Sequence, residues 1–268
     1  MTTPNPQQEL SGTTALITGA SAGLGSEFAR QLAAQGCNLV LVARNRARLE
    51  EAAAGLERRY GTTAEVLPAD LADDDGVAAV VERLSDARRP VGILVNNAGI
   101  GLLHNFEDNH ISEEKKHLKL HGETAMELTH AALKGMLERG EGRIINVASI
   151  AAFLPRGTYS AAKAWLVSFS RWANLAYGKQ GIKVTAVCPG FTHTEFHDRM
   201  GMDKSVAPSW AWLDAGRVVR EGLADNARGK AVSIPSKRYK VVAAVARVAP
   251  ARLVAGPPRK PKQGLKPE

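Results

Sequence analysis

The chain has 268 residues, 44% of them apolar and 23% charged, which suits a folded domain with a full core and excludes a disordered chain. Its net charge of +8 sits at one end: ten of the 35 Lys and Arg residues but only one of the 27 acidic residues fall within 230–268. The near-neutral remainder excludes a nucleic-acid-reading face on the domain itself.

Short β-branched runs alternate with helical stretches along the chain. Thr13–Thr18 predicts a strand and Gly23–Gly36 a helix that ends at glycine. Asn38–Ala43 predicts a second strand and Arg46–Tyr60 an Ala/Glu/Arg-rich helix. Strand Ala64–Leu67, helix Asp73–Asp86 and strand Val91–Val95 follow. A long helical region covers about Ser112–Arg139, then come strand Arg143–Ala148, helix Thr158–Tyr177 and strand Lys183–Val187. Ala231–Ile234 offers a seventh strand.

This alternation predicts right-handed βαβ units in an α/β doubly wound Rossmann fold, with a parallel sheet of about seven strands and helices on both faces. One catalytic domain is expected over 1–235, with 236–268 forming a basic C-terminal helix and tail. In that tail, 236–255 mixes Lys and Arg with Val, Ala and Leu at helical spacing. Such a helix can lie on an anionic membrane surface, pack on a partner, or simply be solvated.

The N-terminal MTTPNPQQEL has neither the basic nor the apolar region of a secretion signal, and no apolar run approaches a membrane span. Cys37 and Cys188 lie in apolar runs and read as free buried thiols of a reducing compartment; Cys and His show no metal spacing. A cytoplasmic protein is expected, with membrane association through the tail as a variant.

Ligands in open parallel sheets bind beyond the carboxyl ends of the strands. The first strand runs into Gly19-Ala20-Ser21-Ala22-Gly23-Leu24-Gly25. Glycines there permit a tight turn and close approach of a pyrophosphate, which the next helix N-terminus attracts. The second strand ends at Ala43-Arg44, where an acid would hold an unphosphorylated ribose. Arg44 instead suits a 2′-phosphate and favours NADP(H) over NAD(H), although Arg44 and Arg46 can also be solvated helix-start residues. Asp70-Leu71 follows the third strand, where Asp70 can meet an adenine amino group or cap the next helix. Asn96-Asn97-Ala98-Gly99 follows the fourth and can shape the adenine-ribose wall and stabilise the central sheet.

Ser149 closes the fifth strand. Tyr159 and Lys163, four apart, share one helix face. An ammonium and a positive nicotinamide beside a phenol favour the phenolate and ease proton transfer, while Ser149 can hydrogen-bond a substrate oxygen.

In this order, TGASAGLG, Asp70, NNAG, Ser149, YSAAK and Pro189-Gly190 resemble the short-chain dehydrogenase/reductase superfamily over about residues 10–200. The resemblance implies Tyr159 as general acid/base, Lys163 as the group that lowers its pKa and holds the ribose, and Ser149 as the carbonyl-positioning hydroxyl. It also implies nicotinamide contacts in the loop Cys188–Thr194, through Pro189, Gly190, the Phe191 backbone and the Thr194 hydroxyl.

Two departures stand out. His121 occupies the place of an Asn that in relatives holds a relay water near the Lys; a neutral His could hold it, or could be a packed helix residue. Ser149 and Tyr159 are ten apart where relatives show about three more, so Pro155 and Gly157 must tighten the turn.

The segment 191–213 carries Phe196, Met200, Met202, Trp210 and Trp212, which suggest an apolar or lipid-like carbonyl or alcohol substrate but also suit core packing. His193 and His197 read as polar surface residues there. The expected function is an NADP(H)-dependent oxidoreductase, with homo-oligomers implied by the resemblance. A catalytically weak nucleotide-sensing protein of the same fold is the alternative, and a membrane-associated lipid-modifying reductase a third reading.

Overall fold

The computed structural model describes residues 10–102, 104–194 and 208–254. Seven strands form one parallel sheet in the order β3-β2-β1-β4-β5-β6-β7: β1 Thr14–Thr18, β2 Asn38–Ala43, β3 Ala64–Pro68, β4 Ile93–Asn96, β5 Gly142–Val147, β6 Ile182–Val187 and β7 Val232–Ser233. The chain leaves β3 at one edge and re-enters at β4 beside β1. That reversal opens a crevice at the carboxyl ends of β1 and β4.

Side chains alternate across the strands, so two buried clusters line the two faces. Ile17, Leu39 and Leu41 meet Phe28 and Leu32 of α1 (Gly23–Ala33), Leu49 of α2 (Arg46–Tyr60) and Val218 of α7 (Ala215–Ala227). Leu16, Val40 and Leu94 meet Val77 and Val80 of α3 (Asp74–Ser85) and Leu128 and Met136 of α5 (Thr124–Arg139). Cys37 and Cys188 are free and buried.

Helix α2 matches its sequence expectation at both ends. The Asn45 side chain accepts from the Arg48 N–H, and Gly61 closes the helix in the left-handed conformation. The long helix expected over Ser112–Arg139 is broken. Helix α4 (Ile111–Leu118) passes through a π-helical turn, Lys119–Glu123, before α5 begins. Apolar spacing does not reveal this wider turn, which adds one residue per backbone hydrogen bond.

Helix α6 (Gly157–Tyr177) follows a short 3₁₀ turn, Ile150–Phe153, that tightens the Ser149 connection; Gly157 enters the helix at φ +77°. The C-terminal helices are α8 (Lys237–Val248) and α9 (Ala251–Val254). Tyr239 and Ala243 bury α8 in the same core as the sheet. No helix among the described residues is long and apolar enough to cross a membrane.

Candidate active site

The glycine-rich turn is built by close approach. A Cβ on Gly25 would lie 2.1 Å from the Gly19 carbonyl oxygen and 2.6 Å from Asn97 Nδ2, so only glycine fits. Thr18 staples this turn to the neighbouring loop, because its hydroxyl accepts from both the Asn97 and Ala98 N–H groups at 2.9 Å. Asn97 Nδ2 returns a bond to the Thr18 carbonyl at 2.8 Å. Helix α1 then starts at Ala22 without a side-chain cap and without an acid in its first turn. Its free N–H groups and positive dipole end suit an anion. Thr194 lies against Gly23, which brings the loop after β6 over this turn.

Arg44 and Asp70 stand at the ends of adjacent strands and approach to 3.8 Å, both substantially exposed. Asp70 also accepts from the Ala72 N–H at 3.0 Å, so it shapes the turn into α3. Arg46 belongs to the first turn of α2 and pairs with Glu50 at 3.7 Å, whereas Arg44 precedes the helix and faces the crevice edge. Leu71 is buried, and its carbonyl accepts from Thr124 Oγ1 at 3.0 Å.

At the chemical end, Ser149 caps the 3₁₀ turn by accepting from the Ala151 N–H at 3.1 Å and shares a hydrogen bond with the Tyr159 phenol. Lys163 is 4% exposed. Its ammonium donates to the Val147 carbonyl at 2.7 Å and lies 5.8 Å from the centre of the Tyr159 ring. Burial pulls the Lys163 ammonium down to about 7. Burial also pushes the Tyr159 phenol up to about 12, against the bond from Ser149. The sequence predicts a phenolate favoured by Lys163 together with a positive nicotinamide; among the protein's own groups the Ser149 bond lowers the phenol and burial outweighs it.

His121 sits in the π-helical turn, 2% exposed, with its ring against Gly99. Its Nε2 lies 2.8 Å from the Ile100 carbonyl oxygen and 3.3 Å from the Ile100 nitrogen, and the shorter contact favours the ring proton on Nε2. Among the described residues its Nδ1 has no hydrogen-bond partner. A cavity of about 10 Å³ beside it is lined by Thr18, Asn96, Ala98, His121 and Lys163 among others. Burial, then the Lys163 charge, hold His121 well below the usual histidine range.

Asn96, in the motif expected to stabilise the central sheet, belongs to β4 rather than to the turn, and its Nδ2 donates to Asn146 Oδ1 at 2.9 Å and Thr129 Oγ1 at 3.1 Å. Asn146 in turn donates to Ser170 Oγ at 2.9 Å, which ties β4, β5 and α6 together beneath the crevice. Two residues that shape the site carried no sequence signal. Tyr239 is the first. Its ring covers Gly190, while its hydroxyl accepts from the Phe191 N–H at 3.2 Å and donates to the Ala211 carbonyl at 2.8 Å. His117, one turn before His121, is the second. Its ring centre lies 4.5 Å from that of His121 and 5.9 Å from that of Tyr159. A polar residue at one position of an amphipathic helix does not announce burial.

Beyond β6, Trp212 packs on Phe191 at 5.5 Å and stacks on His193 at 5.0 Å, so His193 has a definite partner. Phe196, His197, Met200 and Met202 lie outside the described residues.

Comparison with known proteins gives a consistent picture. A sequence profile of the short chain dehydrogenase family matches residues 13–205. The ketoacyl reductase HetN of Nostoc is 32% identical over 231 residues, spanning 84% of this chain and 78% of that protein. A short-chain dehydrogenase from Sphingobium yanoikuyae, solved in complex with NADPH, superposes with TM-score 0.80 at 33% identity and covers 87% of this chain and 93% of its own. The bulky-bulky ketone specific alcohol dehydrogenase from Comamonas testosteroni gives 0.76 at 31% identity, covering 86% and 90%.

The buried histidines make folding stability depend on pH. Burial, then the Lys163 charge, lower His117 to about 4, with Glu114 opposing. Between that value and the ordinary 6.5 the unfolded chain binds more protons, so stability is complete above 6.5 and is lost as pH falls toward 4. His117→Leu should flatten this acid-side decline in Tm. An unchanged slope between pH 6.5 and 4 in thermal melts would show that His117 is not its source.

Proposed function

This chain belongs to the short-chain dehydrogenase family, and from that premise we propose that it is an NADP(H)-dependent oxidoreductase acting on an apolar or lipid-like carbonyl or alcohol. The observation that carries the reading is the convergence of Ser149, Tyr159 and Lys163 at the carboxyl edge of the sheet, beside an uncapped helix start.

When bound, the nicotinamide supplies or accepts the hydride. Gly19, Ser21, Gly23, Leu24 and Gly25 would hold the diphosphate, and Asp70, Leu71, Asn97, Ala98 and Gly99 the adenosine side. Pro189, Gly190, Phe191 and Thr194 would face the nicotinamide end. Arg44 would meet a 2′-phosphate, in keeping with the NADPH held by the Sphingobium relative. Lys163 would reach the ribose.

In reduction, Tyr159 gives its phenolic proton to the substrate oxygen while Ser149 holds that oxygen by hydrogen bonding. A bound cation and the Lys163 ammonium would offset the burial that holds the phenol high. His121 holds a water in the small cavity. The unpartnered His121 Nδ1 and Asn96 Oδ1 and the proximity of Lys163 support this, and the cavity offers about the space one water requires. Phe191, Trp212 and Phe153 support an apolar substrate wall.

Exposed Trp165, Trp172 and Leu175 on α6, with Leu118 and Met126 nearby in the helical layer, support a homo-oligomer built on this layer. Exposed Val241, Val245 and Val248 beside Lys237, Lys240 and Arg247 support peripheral membrane contact through α8. The free buried thiols suit a cytoplasmic setting.

With NADPH and a panel of ketones and aldehydes, Tyr159→Phe should lower kcat by about 10²–10⁴-fold without loss of cofactor binding. Arg44→Ala should weaken NADPH far more than NADH. Tight NADPH binding with no turnover by the parent chain would favour the sensor reading instead. Trp172→Glu should reduce the mass measured by light scattering to that of a smaller species; the same mass would remove the α6 interface. Co-sedimentation with anionic liposomes should drop when Val241 and Val245 are both replaced by Glu, and equal binding would exclude contact through that face.

A further inference from the structure

Among the described residues, six buried side-chain polar atoms have no hydrogen-bond partner, and four of them lie on one stretch of helix: Glu114 Oε2, both ring nitrogens of His117, and His121 Nδ1. Leaving such atoms unpaired destabilises a fold, so a cluster of them calls for an explanation. The residues recur at i, i+3 and i+7, on the face that α4 and the π-helical turn press against α6. They form no metal site among the described residues.

The two histidines differ in what they can do. His121 is pinned, because its Nε2–H is committed to the Ile100 carbonyl at 2.8 Å. It can accept a proton-bearing partner at Nδ1 but has no free N–H to hand onward. His117 is 1% exposed, and neither ring nitrogen is committed. A neutral imidazole of that kind donates from one nitrogen and accepts on the other, so it passes a proton without storing charge. On the inner side its ring lies 5.9 Å from the Tyr159 ring and 4.5 Å from the His121 ring, centre to centre, and the Lys163 charge is felt there. On the outer side Glu114 is its charged neighbour. The Glu114 carboxylate accepts from Asn109 Nδ2 at 2.8 Å, and Asn109 is itself half-exposed at the edge of the fold.

We infer that His117 relays protons between Tyr159 and solvent, by a route that leaves through the Glu114 carboxylate beside half-exposed Asn109. The inference rests on the redox reading above. After Tyr159 has given its proton to the substrate oxygen, the phenolate regains one across bridging water from the His117 N–H. The opposite His117 nitrogen takes a proton from the Glu114 side, which draws it from solvent. One proton enters for each proton delivered, and no electrons move along this route. Oxidation of an alcohol runs it in reverse.

The test compares the parent chain with His117→Gln, which keeps polarity and size but cannot exchange tautomers. With NADPH and acetophenone, hexanal, L-sorbose or a 3-ketoacyl thioester, kcat should fall roughly tenfold while KM and NADPH affinity change by less than about twofold. The solvent deuterium isotope effect on kcat should rise. A fall in kcat that follows lost Tm, with an unchanged isotope effect, would reduce His117 to a packing residue and overturn the relay. Ring ¹⁵N spectra of the histidine-labelled parent give a second reading that needs no turnover. His117 should average between its two tautomers while His121 holds the Nε2–H form. A single fixed His117 tautomer whose N–H exchanges slowly with water would overturn the relay by itself. A parent chain inactive on every carbonyl would overturn the redox reading and the relay with it. An active parent with an indistinguishable His117→Gln would remove only the relay.

Discussion

The Lys163 ammonium is nearly enclosed by protein, donates to the Val147 carbonyl at 2.7 Å, and has no carboxylate paired with it among the described residues. Taking an ion out of water costs several kcal/mol unless a counter-charge or hydrogen bonds replace its hydration. Here the strand-end carbonyl does part of that work, and the remaining penalty brings the ammonium down to about 7. The same charge reaches its neighbours: it helps keep His117 and His121 neutral and opposes the burial that raises the Cys188 thiol. The two imidazoles, the phenol and the thiol that different elements bring around this one ammonium therefore carry little fixed charge of their own. Protons can shift across it at small electrostatic cost.

That arrangement depends on a rigid floor. Asn96, Asn146, Thr129 and Ser170 exchange hydrogen bonds below the crevice, and Leu166 closes the chain by accepting from Ser170 Oγ at 2.7 Å. A buried amide network of this kind is stable only when its members find partners, and it then fixes the spacing of the elements it joins. It holds β4 and β5 against α6, the helix that carries both Tyr159 and Lys163. Thr18 performs the corresponding task at the glycine-rich turn, where one hydroxyl accepts two backbone N–H groups.

The parts of this molecule that repeat were legible in its residues. Strand–helix alternation gave the parallel sheet, because β-branched runs and 3.6-residue spacing are local signals. Helix α2 was legible from its Ala/Glu/Arg-rich composition, and Asn45 and Gly61 close its two ends where that composition stops. The motif residues, from the glycine turn to Tyr159 and Lys163, were placed by order and spacing, and the fold gathers them along one edge. What escaped notice depends on contacts between distant segments. The π-helical turn is a backbone event inside an otherwise regular apolar pattern. His117 and Glu114 look like solvated residues of a charged helix until α6 covers them. Tyr239 lies in a stretch whose basic composition suggests a free surface helix, yet it is one of the residues that bury that helix.

The phenol of Tyr239 bonds at once to Phe191, 48 positions earlier, and to Ala211, 28 positions earlier. On the ribosome those two backbone groups emerge well before the side chain that joins them. The glycine turn and the central strands can fold while the chain is still growing, since their partners are already outside the tunnel. The wall beyond β6 must wait for Tyr239, so it closes later in synthesis than the glycine turn, set by the order in which the polypeptide is made.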